Sequence, residues 1–378
     1  MTYTIQANDQ GVVSRRISRQ VTIGGRDGRK KVLVGGGAPV SVQSMIKRPT
    51  DEVANIIQDC KRLEAAGVDL IRITVPDEET AATMPTILRE VTVPIIADIH
   101  FSKRAGLASI AAGVDKIRLN PGNMGRAKDV HEIAREAMAA GIPIRIGSNS
   151  GSLPKDLLKK YEGDRIPASV EGALRHVELL EECGFHQIVI AIKSSHTEEM
   201  IQANRLLALQ TDYPIHLGVT EAGTTWEGNI RSAIGIGTIL AEGIGDTIRV
   251  SLTDDVVEEV KTGIELLKSL GLRQQGITFI SCPMCGRLES DILEVAQYLH
   301  DRLGHLDKPL RVALMGCPVN GPGEAAGSDL CLLAGKEKGV IYRGEKVVRT
   351  IPVQDYNTEM EKEIIALYTE MYGPIGGN

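Results

Sequence analysis

The sequence predicts an α/β chain: a (β/α)8 TIM barrel followed by a small α+β domain. Three observations predict it. Eight short β-rich runs alternate with amphipathic stretches from about residue 39 to residue 270. Most of those stretches stop at a Gly that is followed at once by an apolar run, the expected αβ loop. After about residue 271 the alternation ceases and cysteines concentrate.

The β-rich runs, in order, are VSVQSM (Val40–Met45), IRITV (Ile71–Val75), IIADIH (Ile95–His100), KIRLN (Lys116–Asn120), IPIRIGSN (Ile142–Asn149), IVIAIK (Ile188–Lys193), IHLGVT (Ile215–Thr220) and TIRVSL (Thr247–Leu252). Helical stretches such as Glu52–Ala65 and Ser169–Cys183 lie between them. The Gly stops are AAGVD (Ala65–Asp69), AAGVD again (Ala111–Asp115), AAGIP (Ala139–Pro143), ECGFH (Glu182–His186) and AEGIGD (Ala241–Asp246). A doubly wound open sheet is the runner-up. No G-x-G-x-x-G follows the first strand, which weakens a dinucleotide-binding reading. The first 35 residues, with RRISRQVTIGG, read as a hairpin or plug ahead of the barrel.

GLRQQG (Gly271–Gly276) reads as a linker, so the domains are expected at 1–270 and 271–378. The second holds a strand with cysteines, a helix (Leu288–Leu303), another strand with a cysteine, a Gly/Pro turn, two short strands and a last helix (Gln354–Tyr372). A length near 100 residues is an ordinary domain size.

Composition excludes several function classes. Aromatic residues make up only 3% of the chain, too few for base-stacking platforms, so nucleic acid is not an expected partner. A net charge of −6 gives no basic field to draw in nucleic acid or an acidic membrane. MTYTIQANDQ lacks a basic and an apolar leader region, and no apolar run nears the roughly 20 residues that span a bilayer. The expectation is a cytoplasmic chain without a membrane segment. There the six cysteines are not disulfide candidates, and each is a metal ligand or a packed side chain.

Arg follows Ile in four of the strands, at Arg72, Arg118, Arg145 and Arg249. Period-two alternation puts Arg72 with Thr74, Arg118 with Asn120, Arg145 with Gly147 and Asn149, and Arg249 with Ser251 on one face each. Lys193 ends the sixth strand. Pointed inward, these groups converge near the C-terminal strand ends, where barrel enzymes carry their chemistry. Asp98 and Glu221, at comparable places on strands three and seven, would offset part of the charge. The bland alternative is an internal salt-bridge lattice or outward-snorkelling Arg stems. The functional alternative is a polyanion pocket with Arg forks on phosphate oxygens. Glu221 in VTEAG is then a candidate acid or base, with His100 a lesser one.

The second domain holds CPMC (Cys282–Cys285) and GCPVNGPGE (Gly316–Glu324). C-x2-C occurs in zinc and iron–sulfur sites alike. Cys317 supplies a third thiolate. The fourth position is open between Cys331, in the apolar run DLCLLAG, and Glu324, just after Gly-Pro-Gly. A carboxylate completing three thiolates suits a 4Fe–4S cluster with one displaceable position; the alternative is structural zinc. Cys60 and Cys183 read as packed side chains.

CPMCGR and GCPVNGPGE, with QSM (Gln43–Met45), ADIHF (Ala97–Phe101), IRLNPGN (Ile117–Asn123), GSNSGSL (Gly147–Leu153), LGVTEAG (Leu217–Gly223) and SAIGIGTILAEGIGDTIRVSL (Ser232–Leu252), closely resemble the 4-hydroxy-3-methylbut-2-en-1-yl diphosphate synthase family of the non-mevalonate isoprenoid pathway. The likeness covers nearly the whole chain and is to the bacterial two-domain form. It implies that 2-C-methyl-D-erythritol 2,4-cyclodiphosphate is opened by two electrons, losing its C3 hydroxyl as water, to give (E)-4-hydroxy-3-methylbut-2-enyl diphosphate. It implies a 4Fe–4S cluster on Cys282, Cys285, Cys317 and Glu324. It implies substrate contacts at Arg72, Asp98, Arg118, Asn120, Arg145, Asn149, Lys193, Arg249, Ser251 and Asn320, and a proton-transfer role for Glu221. Flavodoxin or ferredoxin is the implied electron donor. The implied assembly is a homodimer in which the cluster domain of one subunit caps the barrel of the other, which the short GLRQQG linker suits. One departure is Arg231 in GNIRSA, where family members often carry Lys; the charge is kept. Two readings of other classes stand beside this one: a non-redox barrel enzyme with structural zinc, such as a pterin-type transferase, and a non-enzymatic iron–sulfur carrier.

Overall fold

The structure is a computed structural model and describes residues 13–120, 126–149, 153–317, 319, 323 and 326–375. The chain divides into two compact units, Met1–Arg273 and Gln274–Asn378. The first half of the expected linker belongs to the first unit, because Arg273 Nη1 stands 2.7 Å from Asp69 Oδ2.

The first unit opens with an antiparallel hairpin, β1 (Val21–Gly24) and β2 (Lys31–Val34). Eight parallel strands follow: β3 (Ser41–Met45), β4 (Leu70–Thr74), β5 (Ile95–Ile99), β6 (Lys116–Leu119), β7 (Ile144–Asn149), β8 (Ile188–Lys193), β9 (His216–Leu217) and β10 (Thr247–Ile248). Their order is β8-β7-β6-β5-β4-β3-β10-β9, and a parallel bridge between Ile190 and Ile215 closes the ring. The runner-up open sheet is thereby excluded. Around the ring lie α1 (Val53–Ala65), α2 (Glu78–Glu90), α3 (Lys103–Ala111), α4 (Ala127–Ala140), α5 (Lys155–Lys160), α6 (Arg165–Glu181), α7 (Thr197–Gln210), α8 (Thr225–Ala241) and α9 (Val256–Ser269).

Strand alternation sorts the side chains. Ile71, Ile73, Ile117, Leu119, Ile144 and Ile146 join the apolar layer between sheet and helices. The residues between them face the barrel interior. Near the N-terminal strand ends those are Leu70, Ile96 and Val189, which pack on Val21, Ile23 and Val34 of the hairpin. The hairpin is therefore a plug. Burying each such aliphatic side chain contributes about 1.5–3 kcal/mol.

The repeated Gly stops have a second use. Asp69, Asp115 and Asp246, which close three of them, accept backbone N–H bonds from Val42 (2.7 Å), Ile95 (2.9 Å) and Ile215 (2.8 Å). Each aspartate thus ties its loop to the start of another strand. Helix starts are capped in the usual way: Asp77, Ser102 and Asp255 accept from Thr80, Ala105 and Val257.

Several element boundaries differ from expectation. The stretch expected as a helix from Ser169 begins earlier, at Arg165, because Asp164 caps it and Pro167 fits its first turn. The seventh and eighth strands shrink to His216–Leu217 and Thr247–Ile248. In the second unit, helix α10 covers Leu293–Leu303 only; 288–292 return from the cysteine loop instead.

That unit is a five-stranded sheet in the order β11 (Ile277–Ser281), β12 (Leu310–Met315), β13 (Leu330–Leu333), β14 (Lys338–Arg343), β15 (Lys346–Pro352). The first three are parallel and the rest antiparallel. Helices α10 and α11 (Tyr356–Tyr372) bury Leu299, Leu303, Met360 and Ile364 against Val312 and Leu332 of the sheet. Among the described residues no helix is long and apolar enough to cross a membrane.

Candidate functional site

The barrel interior changes from apolar to cationic partway along the strands. Arg72, Lys116, Arg118, Arg145 and Lys193 all lie at inward positions and are buried, with Arg145 only 1% exposed. Arg249 joins them from just after β10, with its side chain 13% exposed. Two buried carboxylates face these six basic groups. Asp98 Oδ1 stands 3.2 Å from Arg118 Nη1, and its Oδ2 lies 3.6 Å from Arg72 Nε and 3.2 Å from His100 Nε2. Glu259, reaching in from α9, stands 3.2 Å from Arg249 Nη2 and 3.0 Å from Lys47 Nζ. It also accepts from Ser44 Oγ and the Leu252 backbone N–H.

Glu259 corrects one expectation. Glu221 was expected to share the charge-offsetting role with Asp98. It is exposed, with φ of 53°, in the turn after β9. Arg231 Nη1 donates to the Ala222 carbonyl at 2.6 Å and pins that turn. The Glu221 carboxylate sits among solvent rather than among the buried cations, which leaves Glu259 to offset Arg249.

The charges do not cancel. Among the described residues, Arg145 Nε and Nη2, Arg118 Nε, Arg249 Nε and Lys116 Nζ are buried without a hydrogen-bond partner. Burial is the main reason that Lys116, Arg145 and Lys193 are pushed well below their ordinary pKa ranges, and repulsion from neighbouring cations adds to it. Burial likewise lowers Arg72 to about 10, against the pull of Asp98. Burial opposes ionisation of Asp98, yet Arg72, the His100 hydrogen bond and Arg118 together hold its carboxyl below the usual range. An internal salt-bridge lattice would pair its cations. This cluster leaves N–H groups directed at the barrel interior, where an oxyanion can accept them.

Three inward residues were missed from the sequence. Lys116, His216 and Gln43 are all at most 1% exposed. Among the described residues, both ring nitrogens of His216 and both amide atoms of Gln43 lack partners. Burial and then Arg145 push His216 well below its ordinary range, so it is neutral. The signal was there: Lys116 is two residues before Arg118 on one strand face, and His216 is two before Gly218.

Of the other expected contacts, Asn120 is buried and Ser251 half-buried at the same end of the barrel. Asn149 pairs in register with Lys193, and its side chain lies outside the described residues. Asn320 and Glu324 also lie outside the described residues.

In the second unit the cysteines sort by position. Ser281 pairs in register with Leu314, and the Cys282 N–H donates to the Leu314 carbonyl at 3.0 Å. Cys282 and Cys317 therefore leave two adjacent parallel strands at the same end. Met284, with φ of 54°, turns the loop between Cys282 and the exposed Cys285. The Glu289 N–H then donates to the Gly316 carbonyl at 2.9 Å, which ties the return of that loop beside Cys317. The Arg287 backbone N–H and charge hold the Cys285 thiol below its ordinary range. Cys331 is buried within β13 beside Ala313 and Met315. Among the described residues no three His, Cys, Asp or Glu side chains are grouped closely enough to hold a metal as they stand.

A closed (β/α)8 barrel with a cationic interior, joined to a separate α+β domain with three cysteines at one sheet end, defines a two-domain barrel enzyme built for an anionic substrate. Residues 18–264 match the GcpE TIM-barrel domain, and residues 278–366 match the GcpE protein C-terminal domain. The chain belongs to the GcpE family. It is 50% identical over 338 residues to the 4-hydroxy-3-methylbut-2-en-1-yl diphosphate synthase (flavodoxin) of Symbiobacterium thermophilum, covering 89% of this chain and 90% of the relative. It is 47% identical over 352 residues to the enzyme of the same name from Clostridium perfringens, covering 93% and 99%. A dihydropteroate synthase of Xanthomonas albilineans shares 13% identity at a TM-score of 0.48, covering 68% of this chain and 97% of that one. That likeness is too loose to bear on function.

Proposed function

We propose that this protein is a 4-hydroxy-3-methylbut-2-en-1-yl diphosphate synthase. It reduces 2-C-methyl-D-erythritol 2,4-cyclodiphosphate, opening the cyclic diphosphate and releasing the C3 hydroxyl as water. The single observation that carries the site is the set of buried, unpartnered N–H groups on Arg118, Arg145, Arg249 and Lys116.

In this reading Arg72, Arg118, Arg145, Lys193 and Arg249 hold the diphosphate. Their forks need no reorganisation, because Asp98 and Glu259 already orient Arg118 and Arg249. Asn120, Asn149, Ser251 and Asn320 supply neutral donors to the remainder of the substrate. Glu221, at the rim and exposed, delivers a proton as the hydroxyl departs. Expulsion of water from the mouth strengthens each charged contact.

Three thiolates at the ends of β11 and β12, with Glu324 as the fourth ligand, fit a 4Fe–4S cluster better than structural zinc. A buried Cys331 leaves the fourth position to an oxygen ligand, and a reductive reaction requires a source of electrons. The cluster would supply those electrons one at a time. Flavodoxin, named in the relatives, is the proposed donor, with ferredoxin the alternative. A homodimer with the cluster domain of one subunit over the other subunit's barrel belongs to the same reading.

The experiment is an anaerobic absorption spectrum with an iron count, on the wild type and on Cys317→Ser. About three to four irons per chain with brown colour, both lost in Cys317→Ser, is the expected result. A colourless wild type that holds zinc would overturn the cofactor assignment.

A further inference from the structure

Arg118 lies across three strands. It is rooted on β6, and its Nη1 reaches Asp98 on β5 at 3.2 Å. The rest of the guanidinium spreads over the other neighbour, β7. There it passes Gly147, an inward position where a Cβ would stand 2.8 Å from Arg118 Nε and 2.9 Å from Nη2. Arg118 Nε is also one of the buried groups without a protein partner. The same device recurs across the barrel. A Cβ at Gly218, the inward position after β9, would stand 2.8 Å from Lys193 Nζ, a cation rooted on the neighbouring β8.

We infer that Gly147 and Gly218 are positioning residues for the diphosphate, because their missing side chains are the space in which Arg118 and Lys193 lie. The inference deepens the proposed function and rests on Arg118 and Lys193 contacting the substrate. Neither glycine has a positive φ, so backbone conformation does not explain them. Nor does close packing of the apolar layer, since both face the interior. The neighbour at Gly147 is only the end of a flexible side chain, so alanine there is accommodated by moving the guanidinium. At Gly218 the Arg249 carbonyl would also stand 2.7 Å from the new Cβ, and backbone cannot yield as a side chain can. Gly147 is therefore the clean test.

Three consequences follow for Gly147→Ala. The fold is kept, because the atoms nearest the added methyl all belong to the Arg118 side chain. The guanidinium is pushed away from β7, so its Nε no longer points at the substrate. The cysteine-bearing unit is untouched, so iron content is unchanged. Gly237 on α8, where a Cβ would meet nothing within 4 Å, supplies the control Gly237→Ala.

The test is a double-mutant cycle on reconstituted full-length protein, with KM and kcat for the cyclodiphosphate measured for wild type, Gly147→Ala, Arg118→Lys and both together. Gly147→Ala is expected to raise KM about tenfold or more, with kcat changed far less and the thermal midpoint and iron content kept. Gly237→Ala is expected to match wild type. Lys has no Nε–H fork to collide with the methyl, so Arg118→Lys should cost clearly less in the Gly147→Ala background than alone. A wild-type KM in Gly147→Ala, or effects that simply multiply, would overturn the inference while leaving the substrate role of Arg118 standing. An Arg118→Lys chain with wild-type KM would overturn that role itself.

Discussion

Arg249 Nη2 stands 3.2 Å from both carboxylate oxygens of Glu259, so the cation just after β10 is held by a side chain of α9. Glu259 also receives Lys47, Ser44 and the Leu252 N–H. A fully buried carboxylate with four donors is a fixed anchor. Removing it leaves the largely buried Arg249 without its counter-charge. Glu259→Ala is expected to lose about 3–5 kcal/mol of stability in urea unfolding, and Glu259→Gln less, because the amide still accepts hydrogen bonds. A Glu259→Ala chain as stable as wild type would mean that the anchor is unimportant.

Arg145 makes the opposite case. Its buried Nε and Nη2 have no protein partner, and its neighbours are mostly cations. Arg145→Met removes an uncompensated buried charge and keeps much of the volume. The thermal midpoint without substrate should be unchanged or higher, while kcat/KM falls at least a hundredfold. A clear fall in stability would argue for a structural role.

Uncancelled positive charge also predicts that diphosphate stabilises the chain. Inorganic diphosphate at about 100 times its dissociation constant should add about 2.7 kcal/mol to wild type and much less to Arg145→Met. Equal shifts in the two proteins would place the anion elsewhere.

His176 on α6 gives a pH dependence. Burial, and then Arg175, push its imidazole from an ordinary 6.5 down to about 4. The unfolded chain thus binds a proton at a higher pH than the folded one. Stability contributed by the neutral form is present above about 6.5 and is lost as pH falls towards 4. Urea midpoints at pH 7 and pH 4.5 should differ more in wild type than in His176→Leu. Identical pH dependence would show that His176 is not responsible.

Cysteine reactivity should follow burial. Burial pushes the Cys60 thiol up to about 12, and the side chain is inaccessible. In metal-free protein, iodoacetamide at pH 8 should modify the exposed Cys285 and leave Cys60 untouched until urea is added. Modification of Cys60 in the folded chain, read by peptide mass spectrometry, would contradict its core placement.

Much of this site is legible in the sequence because a barrel strand has a simple period. Ile-Arg repeated in four strands announces outward isoleucines and inward arginines, and the structure bears out that face for Arg72, Arg118, Arg145 and Arg249. Lys116 and His216 follow the same rule, since both lie inside the β-rich runs KIRLN and IHLGVT, but neither belongs to the repeated Ile-Arg phrase that draws attention to the arginines. Glu259 was not legible. It lies on an amphipathic helix whose acidic residues mostly face water, and only the tertiary fold brings it to Arg249. The Asp69, Asp115 and Asp246 ties were hidden for the same reason: the repeat is visible, but its backbone partners are on other strands.

The most direct measurement follows the substrate itself. Anaerobically reconstituted protein, given the cyclodiphosphate and a chemical reductant, should convert it to the linear allylic diphosphate, read by phosphorus and carbon NMR. Protein that carries its full iron and leaves the cyclodiphosphate unchanged would contradict the proposed reaction.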